Sequence, residues 1–177
     1  MRLVAALLGA FLILVTAPPA HAAPAARTLR LSLTAGVDIT VPAAVNLGTG
    51  FTGGTLTGSL GIVEVRDSRG PVNPNTWVAT VSASVFVAGG GGALRTIAPG
   101  QLSYWSGPTV RSTGGGVLAP GQLSSTQAVT LNVAREAFRK SSGNGNNEVR
   151  WTPNIRVAIP SNVVAGTYTG TVTHSVA

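Results

Sequence analysis

Residues 76–88 read TWVATVSASVFVA and form the most regular stretch of the chain. In an extended strand, one face would carry Trp77, Ala79, Val81, Ala83, Val85 and Val87. The other face would carry Val78, Thr80, Ser82, Ser84 and Phe86. Because successive side chains of a strand point to opposite faces, this period of two predicts a half-buried β-strand. The glycine run 89–92 is expected to end it.

The same period of two returns near the last residue. One face would hold Tyr168, Gly170, Val172, His174 and Val176, and the other Thr167, Thr169, Thr171, Thr173 and Ser175. A row of threonines suits a solvent-facing strand, since the branched side chain fits the pleat and its hydroxyl stays hydrated. Trp77 and His174 both fall on apolar faces, so we expect both to be mostly buried and adjacent.

Shorter patterns before and between these two stretches predict further strands. They lie at 28–34, 37–41, 60–66, 94–97, 102–106, 127–133 and 149–159. Pro153 indicates an edge or a bulge in the last of them, because proline cannot donate to a strand ladder. Eight or nine short strands without a long helix predict an all-β fold, an antiparallel β-sandwich of immunoglobulin-like or jelly-roll-like type.

Three other segments are expected to be irregular or turned. Residues 45–61 contain six glycines and are expected to be loosely structured. Residues 135–140 are expected to form one helical turn, with Glu136 and Lys140 paired four positions apart. The hexapeptide APGQLS occurs at 98–103 and again at 119–124, and its Pro-Gly step favours a type II turn in both places.

The first 22 residues have the pattern of an export signal. Arg2 precedes a nearly unbroken apolar run from Leu3 to Val15, and the small residues of Ala20-His21-Ala22 suit signal peptidase cleavage. The run is too short to be expected to span a membrane. We therefore expect a signal-peptide helix over 1–22, one mature domain over 23–177 with no membrane span, and a secreted product.

Composition limits the classes of function. The chain has 177 residues, 44% of them apolar and 10% charged, which excludes a disordered or coiled-coil protein. Twelve basic residues against five acidic ones give a net charge of +7. This charge favours either solubility or attraction to an anionic polymer outside the cell. The arginines form no basic run, so a nucleic acid is not an expected partner.

The residues needed for common catalytic sites are sparse. No cysteine is present, and His174 is the only histidine after residue 22. A GxSxG elbow and a second metal-ligating histidine are also absent from the sequence. We expect no enzymatic activity, no cofactor and no metal. A hydrolase with paired carboxylates stays open as a third alternative, because the spatial separation of acids cannot be read from sequence.

Aromatic residues are the remaining candidates for contacts. Tyr104 and Trp105 are adjacent, so on a strand one of them must face away from the core. That makes the pair a candidate for an exposed contact, with a loop aromatic folded over the sandwich edge as the alternative. Trp77 lies on an apolar face, which favours a position in the core.

Two segments resemble motifs of the WxL family of Gram-positive cell-surface proteins. In the first, residues 63–66 lead into Asp67-Ser68-Arg69-Gly70 and then Trp77, like the family's Asp-x-Arg-Gly turn followed by Trp-x-Leu. In the second, Tyr168 precedes 172–176, like the family's distal motif. Ala79 stands where the family has Leu, and His174 stands where it has the distal Trp. The chain thus resembles a divergent branch.

The resemblance implies non-covalent binding to the cell wall. The expected partner is peptidoglycan or an anionic polymer associated with it. The ligand-binding candidates are Trp77, Tyr104, Trp105, Tyr168 and His174. The alternative is a structural or adhesive surface module that binds another protein through exposed strand edges.

Overall fold

A computed structural model describes residues 36–177. The expected leader 1–22, the expected strand 28–34 and the expected domain start at residue 23 lie outside these residues. The described chain is built of short strands with single turns of 3-10 helix at Ala93–Arg95, Pro99–Gln101 and Ser125–Gln127, which confirms the all-β prediction. The strands are β1 (Val37–Thr40), β2 (Thr55–Ser59), β3 (Val63–Asp67), β4 (Trp77–Ala83), β5 (Phe86–Ala88), β6 (Thr96–Ile97), β7 (Leu102–Trp105), β8 (Thr109–Thr113), β9 (Leu118–Pro120), β10 (Val129–Thr130), β11 (Arg135–Lys140), β12 (Asn147–Trp151), β13 (Asn154–Ala158), β14 (Tyr168–Thr169) and β15 (Val172–Val176).

The strands form antiparallel sheets that pack as two layers. The first layer consists of the sheets β1-β3-β12-β8 and β2-β13-β7-β10. Three chain segments pass from one of these sheets into the other. After short breaks, β2 continues as β3, β7 as β8 and β12 as β13. The second layer consists of β15-β4-β11-β9 and β14-β5-β6. The result is a β-sandwich, as the alternating patterns predict.

Thr152 and Pro153 separate β12 from β13. The sequence predicts one strand over 149–159 with an edge or bulge at Pro153, and the structure has two strands that break at this proline. The Pro153 carbonyl accepts a hydrogen bond from the Leu60 amide at 2.8 Å, in the break between β2 and β3. A residue without an N–H is thus placed where the ladder is already interrupted.

The core lies between the layers and has two clusters. One joins Trp77, Ala79 and Phe138 of the second layer to Val63, Val65, Val149 and Trp151 of the first. The other is built around Val81, Ala137, Leu102, Tyr104, Ile155 and Val157. Trp77 is 1% exposed, which confirms its expected core position. The Phe138 ring lies 6.2 Å from that of Trp77 and 4.7 Å from that of Trp151.

Each of the two strongly alternating stretches is expected to be one continuous strand, and in the structure each is divided into two strands. The stretch 76–88 breaks at Ser84 and Val85, and the last stretch breaks at Gly170 and Thr171. Ser84 and Thr171 face each other there, since the Ser84 amide donates to the Thr171 carbonyl at 2.8 Å. A Cβ on Gly170 would lie 2.5 Å from the Phe86 ring. Glycine therefore allows the second layer to bend.

The loose structure expected over 45–61 is wrong for Thr55–Ser59. This segment is strand β2, paired with β13. Its alternation of exposed Thr55, Thr57 and Ser59 with less exposed Leu56 and Gly58 is a strand pattern. Gly58 obscured this strand pattern in the sequence. The structure explains the glycine, because a Cβ on Gly58 would lie 2.9 Å from the Leu47 side chain.

The helical turn expected over 135–140 is also wrong. This segment is β11, an inner strand between β4 and β9. A bulge between Glu136 and Phe138 puts both Ala137 and Phe138 in the core, which hides the period of two. The expected pair of Glu136 and Lys140 does not form, because Lys140 is buried and donates to the Asn75 carbonyl at 2.7 Å.

The two APGQLS copies adopt different structures, and neither is the expected type II turn. In the first copy, Pro99–Gln101 is a 3-10 helix that leads into β7. In the second, Ala119 and Pro120 belong to β9 and pair with β11. Gln122 follows in a buried position and donates from its side chain to the Glu136 carbonyl at 2.9 Å. The neighbouring strand, and not the local sequence, decides the conformation.

Candidate functional site

The outer surface of the sheet β2-β13-β7-β10 is a polar face, here called the Trp105 face. Antiparallel register aligns its side chains in two rows. One row consists of Ser59, Asn154 and Trp105, and the next of Thr57, Arg156, Ser103 and Thr130. All seven residues are exposed or half-buried, whereas the alternate residues of β7 and β13 are mostly buried. The alternation of side chains along each strand thus puts polar residues on the outer side of the sheet and apolar residues on the inner side.

Tyr104 and Trp105 point to opposite sides of β7, as their adjacency predicts. Tyr104 is 0% exposed and belongs to the core, so it offers no contact to an external ligand. Trp105 is half-buried on the outer side. Of the adjacent pair, Trp105 alone is therefore available for contact from solvent.

Arg156 lies over the Trp105 ring. Its guanidinium carbon is 5.6 Å from the ring centroid, the distance of a cation–π contact. Neither row of the Trp105 face contains an acidic residue. Among the described residues, no carboxylate lies within ion-pair distance of Arg156. The ring therefore holds a cation whose in-plane donors are not neutralised by an acid.

The other half of the same layer is different. On the outer surface of β3 and β12, Arg66 lies 3.0 Å from Glu148 and 3.3 Å from Glu64. Arg150 lies 2.8 Å from Glu64 and 3.0 Å from Glu148. These four residues form a charge-balanced lattice. On the Trp105 face, by contrast, Arg156 has no acidic partner.

His174 is not adjacent to Trp77, so that expectation is wrong. The register of β15 with β4 puts His174 opposite Val81, four residues away from Trp77 on the same strand. His174 is half-buried, and its Nε2 lies 3.2 Å from the Tyr104 hydroxyl. Burial lowers the pKa of His174 to about 4, so the imidazole is neutral at physiological pH. Burial also raises the pKa of Tyr104 above its ordinary value.

A small cleft of about 190 Å³ opens beside His174. It lies between the segment 41–47 and the bend at Gly170, and its walls include Phe86 and Val172. The volume is below that of an ordinary small-molecule site. A neutral imidazole in this position can donate or accept a hydrogen bond, but it carries no charge that would attract an ionic ligand.

Tyr168 has a structural role, because its side chain is hydrogen-bonded within the chain. Its hydroxyl donates to the Val164 carbonyl at 2.7 Å, and its side chain is half-buried against the core cluster around Val81. The contact holds the connection between β13 and β14. Its hydroxyl is already used by the chain, so Tyr168 is a weaker contact candidate than Trp105.

The first segment with the WxL resemblance is held by a polar network around buried Asp67, which also includes Asn147 of β12. Arg69 donates to both carboxylate oxygens of Asp67, at 3.0 and 2.8 Å, and to the Thr76 carbonyl at 2.8 Å. The Trp77 indole donates to the Asn147 side chain at 3.0 Å. Burial alone would raise the pKa of Asp67, but Arg69 and Asn147 outweigh it and hold the pKa below its ordinary value. The network stabilises the turn before β4.

Known proteins provide little guidance on this site. No family model and no curated protein matches the chain. Among solved structures, a family 123 glycoside hydrolase from Clostridium perfringens that acts on glycolipid glycans is similar with a TM-score of 0.36 and 18% identity. The match covers 72% of this chain and 19% of that one, so the chain spans about a fifth of the hydrolase.

Sequence reasoning found Trp105 but missed its companions. The arginines are scattered along the chain, and Arg156 forms part of no motif. Period two over 149–159 puts Asn154 and Arg156 on one face, and this was the available signal. Their position beside Trp105 depends on the pairing of β13 with β7, which the linear pattern does not specify. Among residues 36–177, no group of three or more potential metal ligands occurs, and none of the helices has the length and apolar character that crossing a membrane requires.

Proposed function

We propose that the protein is secreted and associates non-covalently with the Gram-positive cell wall, with peptidoglycan as its ligand and the Trp105 face as its contact surface. The observation that carries the proposal is the outward Trp105–Arg156 pair on a sheet face that is otherwise lined by hydroxyl and amide groups. An aromatic ring with a polar edge provides contact area at low entropic cost.

The chemistry of the face matches a polyhydroxylated polymer. Thr57, Ser59 and Ser103 offer hydroxyls that both donate and accept hydrogen bonds, and Asn154 adds an amide. The surface is the outer side of a four-stranded sheet, and its two rows of side chains run across the strands, so it suits an extended chain lying in that direction. The signal-like sequence over 1–22 and the resemblance to the WxL family agree with a ligand outside the cell.

A binding module fits this face better than an enzyme. Glycoside hydrolysis ordinarily needs two carboxyl groups flanking the scissile bond, and the Trp105 face carries none. His174, the histidine of the described region, is neutral and bound to the Tyr104 hydroxyl. We accordingly propose a protein without catalytic activity of its own.

Binding of another protein is the second candidate, and strand β8 favours it. β8 lies at the edge of its sheet and pairs with β12 on one side. All five of its residues, Thr109 to Thr113, are exposed. An exposed edge of this kind can accept an added strand from a partner through main-chain hydrogen bonds.

A pelleting assay with purified peptidoglycan separates the two candidates. The wild-type protein is expected to pellet, and Trp105→Ala is expected to stay in the supernatant. The matched control is Arg111→Ala, which removes an exposed arginine from β8 while leaving the Trp105 face intact. Unchanged melting temperatures confirm that both variants fold. Equal pelleting of Trp105→Ala and wild type would overturn the proposed contact surface.

A further inference from the structure

Arg156 is positioned to decide which kind of glycan the Trp105 face accepts. It lies on β13, an inner strand of the sheet, between Thr57 of β2 and Ser103 of β7. Its guanidinium lies over the Trp105 ring, so the charge is near the middle of the face and not at its rim. We infer that the Trp105 face recognises a glycan bearing isolated carboxylate groups, with one carboxylate bound by Arg156. This inference rests on the proposed function and narrows its ligand.

The charge environment supports an acidic ligand. The acids on the neighbouring strands β3 and β12 are already paired with Arg66 and Arg150. Buried Asp67 is paired with Arg69, and Glu136 lies 3.6 Å from Arg139. Each of these four acids therefore has an arginine partner elsewhere. No carboxylate of residues 36–177 lies within ion-pair distance of Arg156, so its guanidinium can pair with an external anion.

The geometry of the pair supports a planar anion. The Arg156 guanidinium lies within cation–π distance of the Trp105 ring, and its planar fork presents N–H donors in a fixed arrangement. Such a fork matches the two oxygens of a carboxylate, and a guanidinium held in place loses less conformational entropy on binding. A lysine at this position would provide a point charge without the fork.

The number of cations on the face favours isolated charges on the ligand. A densely charged polymer, such as a phosphodiester chain, gains affinity from many basic residues along its path. The two rows of the Trp105 face contain Arg156 as their single basic residue, among neutral hydroxyl and amide side chains. One carboxylate for each bound repeat matches this arrangement, whereas a continuous line of phosphates does not.

The test compares two preparations of peptidoglycan freed of phosphate polymers, one native and one with its carboxyl groups converted to amides. Wild type is expected to bind the amidated preparation about tenfold or more weakly, the range of a lost charge-assisted hydrogen-bonded pair. Arg156→Gln is expected to bind both preparations equally weakly, and Arg156→Lys, which keeps a charge but not the fork, is expected to show a smaller preference for the native preparation than wild type. Arg111→Gln, the matched control, is expected to keep the wild-type preference.

The outcomes separate this inference from the proposed function. Equal wild-type affinity for both preparations, together with loss of binding in Trp105→Ala, would overturn the carboxylate inference and leave wall binding intact. Absence of wild-type binding to either preparation would overturn both. A third preparation, peptidoglycan that retains its phosphate polymers, covers the remaining case: binding to this preparation alone would show that the ligand is a phosphodiester and would also overturn the inference. The amidation comparison needs no variant, so the inference stays testable if Arg156→Gln does not fold.

Discussion

Trp77 belongs to a segment that resembles a WxL motif, and in the structure it is a core residue. Its ring packs against Phe138, and its indole N–H donates to the Asn147 side chain in a buried position. Asn147 in turn pairs in register with Asp67, the first residue of the Asp-x-Arg-Gly turn. The motif residues therefore depend on one another for burial and hydrogen bonding, and they orient the chain entering β4.

Trp77→Ala is expected to lower the free energy of unfolding by about 3–5 kcal/mol, as truncation of a buried tryptophan does. The cavity beside Phe138 and the unpartnered Asn147 amide oxygen both contribute. Urea unfolding followed by circular dichroism measures the change. Trp105→Ala is the matched control, and it should cost much less because that ring is half-exposed. A Trp77→Ala protein that melts like wild type would contradict the core assignment.

His174 predicts a pH dependence of stability. Its pKa is lowered from 6.5 to about 4 by burial, so between these values the unfolded chain binds a proton that the folded protein does not. Stability from the neutral imidazole is therefore complete above pH 6.5 and is lost as the pH falls toward 4. Thermal melts of wild type should show this decline, and melts of His174→Gln should show less of it. Parallel profiles for the two proteins would contradict the shift.

At the scale of elements, bends and pairing partners decide more than local propensity. β11 is an inner strand although its residues read as a helical turn, because β4 and β9 satisfy its backbone on both sides. The APGQLS copies diverge for the same reason. The bend between β14 and β15 depends instead on a local feature, the missing side chain at Gly170.

Gly170→Ala is expected to destabilise the fold by about 1–3 kcal/mol, the usual cost of overpacking. Its new methyl group would lie 2.5 Å from the Phe86 ring, at the break between β14 and β15. Gly115→Ala is the control, since a Cβ there has no neighbour within 4 Å. Differential scanning calorimetry of both variants measures the contrast, and equal melting temperatures would show that the bend does not depend on glycine.

At the scale of the whole molecule, net charge and the Trp105 face are expected to make separable contributions to the proposed wall binding. The net charge is +7 for the full chain and +6 once residues 1–22, which include Arg2, are removed, and its basic residues are distributed over the chain. At 1 M salt the Debye length falls to about 3 Å, which nearly removes such long-range attraction. The direct contact between a sugar chain and Trp105 is not screened in this way.

Pelleting with peptidoglycan is therefore expected to weaken at 1 M salt and still occur. Measurements at low and high salt, with wild type and Trp105→Ala in parallel, distinguish the two contributions. Complete release of wild type at high salt would show that scattered charge carries the interaction. Absence of pelleting at every salt concentration would favour a protein partner at the β8 edge.

The all-β sandwich, the core position of Trp77 and the outward position of one residue of the Tyr104–Trp105 pair all follow from the sequence alone. Each depends on the two-residue period of a strand, which is a local property of the chain. Tertiary structure decided the bends, the identity of β2 and β11, and the meeting of Arg156 with Trp105. Those features depend on which strands pair and in what register. Pairing energy comes from residues far apart in sequence, so no local pattern contains it.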